Sequence, residues 1–135
     1  MSYNKAEAIH LYNIAREMEL SGYDLLRDPD VVMRECNGIG ADWMPDCMRK
    51  VCTKLNSVME LPAAIHDIRY ANGTTRRDRQ AADMEFLSNC IHVINETYAW
   101  YNPMRYIMSR RAVRFFSYLQ MFGGVAFNKG KGEVK

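Results

Sequence analysis

Ala63-Ala64-Ile65-His66-Asp67-Ile68-Arg69-Tyr70 is the stretch on which the reading of this chain turns. It is expected to be helical, and on a helix His66 and Tyr70, four residues apart, share a face. Asp67 points about 100° round from His66 by the helical repeat. Pro62 is expected to start this helix, and Asn72-Gly73 to end it.

Downstream, Thr74 and Thr75 offer an N-cap for a further helix. Arg76-Arg77-Asp78-Arg79 would form its first, solvated turn, although three arginines could also meet phosphate. Within that helix Asp83, Leu87, Cys90 and Ile94 fall at i, i+4, i+7 and i+11. A carboxylate thus heads an apolar stripe, which is costly unless it is hydrogen-bonded or functional. A helix-start charge is the ordinary reading of a lone Asp, but Asp78 already fills that position.

Upstream, Cys36-Asn37-Gly38-Ile39-Gly40-Ala41-Asp42 reads as a loop. Alternate glycines let carbonyls converge on a hard cation, or amides on an anion; a tight connection is the plainer reading. Residues 45–60 are expected to hold a separate helix, with Pro45 near its first turn.

The ends are helical as well. Residues 4–21 carry Ala8, Leu11, Ala15 and Met18 at helical spacing, with Gly22 as the stop and His10 off the stripe. Tyr23 to Glu35 reads as a turn with one short helical piece, broken by Pro29. Asn102-Pro103 caps a last long helix whose stripe is Met104, Met108, Ala112, Phe115, Leu119 and Phe122. Gly123-Gly124 stops it, and the tail, about residues 126–135, is expected to be mobile. No strand is expected. The class is all-α, one domain over residues 1–135.

Composition agrees. The chain has 135 residues, 48% hydrophobic and 25% charged, enough for a sizeable core. A net charge of +2 does not by itself imply nucleic acid. No apolar run reaches the roughly 18 residues of a transmembrane helix, and the N-terminus lacks the pattern of a signal peptide. Location is left open between a cytoplasmic and a virion-associated setting. Four cysteines, Cys36, Cys47, Cys52 and Cys90, are too sparse for a disulfide scaffold, so free thiols are expected.

His66-Asp67-Ile68-Arg69-Tyr70, followed by Ala82-Asp83 on the next helix, resembles the phospholipase A2 superfamily, most closely its short viral and prokaryotic forms. The resemblance covers roughly residues 36–92, and its specific part lies within 63–90. It implies a phospholipase A2-like core at about residues 36–95, built around two antiparallel long helices, with extra helices at either end. It implies His66 as the base that activates water, Asp83 holding the other ring nitrogen, and Tyr70 hydrogen-bonded to Asp83. Asp67 and the carbonyls of Cys36, Gly38 and Gly40 would hold Ca2+, and the Gly38 amide would help hold the oxyanion. The implied activity is calcium-dependent hydrolysis of the sn-2 ester at a phospholipid membrane surface. The loop departs from the family's fuller Cys-Gly-x-Gly-Gly, the gap from loop to His66 is long, and Ile65 stands where secreted members carry Cys. The alternative is a non-catalytic scaffold of the same build, a viral or prophage structural or interaction protein. A third reading, nucleic-acid binding through Arg76, Arg77, Arg79 and the arginines of the last helix, rests on charge alone. Oligomeric state is not legible.

Overall fold

The computed structural model describes residues 3–36 and 46–128 together with Lys131; the side chains of residues 46–57 and of Ala126 lie outside that description. Every regular element among the described residues is a helix. In order they form α1 (Lys5–Glu17), a 3-10 turn (Tyr23–Leu26), α2 (Pro29–Glu35), α3 (Asp46–Asn72), α4 (Arg76–Thr97), α5 (Pro103–Phe122) and the short α6 (Gly124–Asn128).

The axis of the fold is the α3–α4 pair. Only residues 73–75 separate the two helices, so they double back as an antiparallel hairpin. Asn72 is the last residue of α3, and Thr75 caps α4 through a reciprocal capping box with Asp78. Pro62 does not begin a helix; it lies inside the 27-residue α3. An interior proline costs about 3 kcal/mol in a lost hydrogen bond and a clash. Val58, Met59, Leu61, Ala64 and Ile65 around it are all buried. Burying one large apolar side chain contributes about 1.5–3 kcal/mol, so together they outweigh the proline.

α4 is buried on a wider arc than its expected stripe. Asp83, Cys90 and Ile94 are buried, but so are Ala82, Phe86, Asn89 and Val93. The reason is tertiary: α4 packs against α3 on one flank and α5 on the other. Phe86 reaches Phe115 of α5, with ring centroids 5.3 Å apart. On α5, Met108, Ala112, Phe115 and Leu119 are buried as the spacing predicts, whereas Phe122 at the helix end is exposed.

α1 buries Ala8, Leu11 and Ala15, and His10 is exposed. It ends before Gly22, because Glu19 takes the left-handed conformation at φ 55°. The amides of Glu19 and Leu20 bond back to Arg16 O and Ala15 O, and Leu20 is buried beneath. This paired closure satisfies the last carbonyls and offsets the strain at Glu19. Gly22, at φ 84°, serves the next turn instead; a Cβ there would lie 2.8 Å from Ile65 Cγ2. Pro29 opens α2 rather than breaking a helix, with Asp28 as its N-cap. Asn89 of α4 holds this region by exchanging two hydrogen bonds with the Ser21 backbone, at 3.0 and 2.9 Å.

Cys36 and Cys90 are buried thiols. Lys131, in the segment expected to be mobile, is docked: its ammonium donates to Tyr70 O and sits 3.6 Å over the Phe127 ring. No helix among the described residues is long and apolar enough to cross a membrane.

Candidate functional site

The hairpin brings His66, Tyr70 and Asp83 together. His66 and Tyr70 come one turn apart from α3, their rings tilted at 45° with centroids 4.0 Å apart. Asp83 enters from the second turn of α4 and is fully buried. Its Oδ1 lies 2.7 Å from His66 Nε2 and accepts from Tyr70 Oη at 2.6 Å. His66 is 6% exposed and also meets the Phe86 ring edge-on at 5.3 Å.

The chemistry of the pair follows from what each group can do. A carboxylate only accepts, so in the neutral ring Nε2 carries the proton and Nδ1 the lone pair. Tyr70 is fixed as a donor. Burial first, then the neighbouring Asp83 charge, pushes its phenol far above the usual tyrosine range, against a smaller opposing pull from Arg79.

A fourth group completes the carboxylate. Gln120 of α5 donates from Nε2 to Asp83 Oδ2 at 2.7 Å. Nothing in the sequence marks Gln120, because a polar residue on the exposed side of a last helical turn is ordinary. Phe127 of α6 also borders the cluster, its ring 5.2 Å from that of Tyr70 and perpendicular to it. The sequence gives no sign of that contact, because Phe127 falls in the stretch expected to be a mobile tail.

Asp67 sits on the neighbouring face of α3 and is half-buried. Cys36 reaches the same region, its thiol donating to Ala64 O at 3.3 Å. Burial pushes the Cys36 thiol well up, and the Asp67 charge is the largest electrostatic contribution in the same direction. Burial first, then the charges of Glu60, Cys36 and Asp67, raises the Tyr3 phenol. Gly38 and Gly40 lie outside the described residues.

For a hard cation the described chain offers the Asp67 carboxylate and the backbone oxygen of Cys36. Oxygen donors of this kind fit Ca2+. No cluster of three His, Cys, Asp or Glu side chains that could hold a metal occurs among the described residues.

No protein-family model matches this chain, nor does any curated protein or any solved structure.

Proposed function

We propose that the chain hydrolyses the sn-2 ester of phospholipids by activating water at His66, in the manner of the phospholipase A2 superfamily. The observation that carries this is the orientation of His66. Its Nε2 is held by a fully buried carboxylate, which leaves Nδ1 as the basic nitrogen. Nδ1 takes a proton from water as the oxygen attacks the ester carbonyl. The imidazolium formed is stabilised by Asp83 and returns the proton to the departing glycerol oxygen. The products are a free fatty acid and a lysophospholipid. No covalent enzyme intermediate is needed if the oxyanion is stabilised. Calcium held by Asp67 and the Cys36 carbonyl, with the expected Gly38 and Gly40 carbonyls, would polarise the ester carbonyl.

A second reading has its own observation. Both oxygens of Asp83 accept from within the fold, and His66 is itself buried. A satisfied polar network of this kind also orients three helices without any chemistry. On this reading the chain is a phospholipase A2-like scaffold with a structural or interaction role.

Fatty-acid release from mixed phospholipid vesicles separates the two. Release by the wild type that needs calcium and disappears in His66→Ala is the expected result. A folded wild type that releases no fatty acid in calcium would sink the hydrolase reading and leave the scaffold. Asp67→Asn should move the calcium titration to higher concentration; an unchanged titration would remove Asp67 from the ligand set.

A further inference from the structure

The stretch that carries the family resemblance stops well before α5, yet the last turn of α5 closes the network around Asp83. We propose that Gln120 is a positioning residue that fixes the Asp83 carboxylate plane, and through it the tautomer of His66. This rests on the reading of His66 as the base.

Asp83 Oδ1 is shared by two donors, His66 and Tyr70, so those contacts alone leave the carboxylate free to pivot about Oδ1. Gln120 supplies a donor to Oδ2 and removes that freedom. The amide nitrogen rather than its oxygen must face Asp83, because a carboxylate cannot donate.

Gln120 is in turn held from α4. Arg79 Nη2 donates to Leu119 O at 2.8 Å and to Gln120 O at 3.0 Å, tying off the carbonyls of the final turn of α5. Arg79 lies one turn before Asp83, so α4 grips the end of α5, and α5 returns a side chain to α4. Gly123 allows the close approach: a Cβ there would fall 2.7 Å from Tyr70 Oη and 2.7 Å from Leu119 O. Gln120 is exposed as a residue, so its amide could stay in water; it reaches inward to a fully buried partner instead.

The test is the imidazole NMR spectrum of the full chain with 15N-labelled histidine, read alongside far-ultraviolet circular dichroism and vesicle hydrolysis. The wild type should show His66 as a single Nε2–H tautomer with a slowly exchanging ring proton. Gln120→Met, similar in length but without a donor, should keep the helical content, speed that exchange about tenfold and mix the tautomers. Gln120→Glu, which sets an acceptor against an acceptor, should perturb the signal more. A role in packing alone predicts a wild-type His66 signal in Gln120→Met, and that result would overturn the proposal. If Gln120→Glu does not fold, Gln120→Met alone decides. Wild-type vesicles left intact while the His66 signal responds to Gln120→Met would remove the hydrolase reading and keep the positioning role.

Discussion

Asp78 and Asp83 lie five residues apart on α4, and each accepts three hydrogen bonds, yet they belong to different kinds of structure. Asp78 is exposed and takes its bonds from Thr74 N, Thr74 Oγ1 and Thr75 N, three and four residues away. Asp83 is fully buried and takes its bonds from His66, Tyr70 and Gln120, which are 17, 13 and 37 residues away. The first cluster forms whenever the helix starts. The second exists only when α3, α4 and α5 are all in place. A polar group satisfied locally caps one helix; the same group satisfied across three helices reports, and helps fix, their packing.

The sharpest way to break this contrast is Asp83→Ala. It leaves three donors without their acceptor, two of them on buried side chains, and should lower stability by about 3 kcal/mol in urea unfolding. A loss below about 1 kcal/mol would mean that water or rearrangement replaces the carboxylate easily. Asp83→Asn keeps the volume and the fold but presents an amide where an acceptor is needed. If the proposed hydrolysis holds, vesicle hydrolysis should then fall by orders of magnitude, and full activity would end the proposed mechanism.

Tyr70→Phe removes one donor and keeps the ring packing on His66 and Phe127. About 1.5 kcal/mol is expected, because the bond is to a charged acceptor. At the other cluster, Thr75→Ala should cost about 1 kcal/mol, the usual value of a lost N-cap, and leave the His66 spectrum unchanged. A changed spectrum would mean that the two clusters are coupled along α4.

The smallest effect concerns acid. The Thr74 and Thr75 amides hold the Asp78 carboxyl below the usual carboxylate range. Its folded value is lower than its unfolded one, so its contribution is complete above the unfolded value and is lost as pH falls through the folded one. The urea midpoint of Asp78→Asn should therefore approach that of the wild type as pH drops below about 4. A constant separation down to pH 2 would show that the cap does not depend on the charge.

Much of the fold and of the candidate site is legible in the sequence, and the reason is locality. The 66–70 face, the Thr75 cap, the end of α3 at Asn72 and the apolar stripe of α5 all depend on neighbours within about one turn. The meeting of His66 with Asp83 is different: only the family resemblance implied it, and it comes about because the short connection at residues 73–75 folds α4 back on α3. The differences at Pro62 and Gly22 share one cause. Sequence patterns treat proline and glycine as local punctuation, whereas burial of the surrounding residues keeps Pro62 inside a helix, and Glu19 rather than Gly22 closes α1. The loop expected to carry Gly38 and Gly40 lies outside the described residues.

The amino-acid sequence by itself determined the all-α class, the helix break at residues 73–75 and the face that carries His66 and Tyr70, since helical spacing and capping act between neighbours. Only the tertiary structure decided that α4 is buried on two flanks, that Lys131 docks beside Tyr70 and that Gln120 completes Asp83 from 37 residues away. No periodic signal links residues that far apart. What selects them is the cost of leaving a buried carboxylate short of a donor, and that cost arises only once the helices have excluded water.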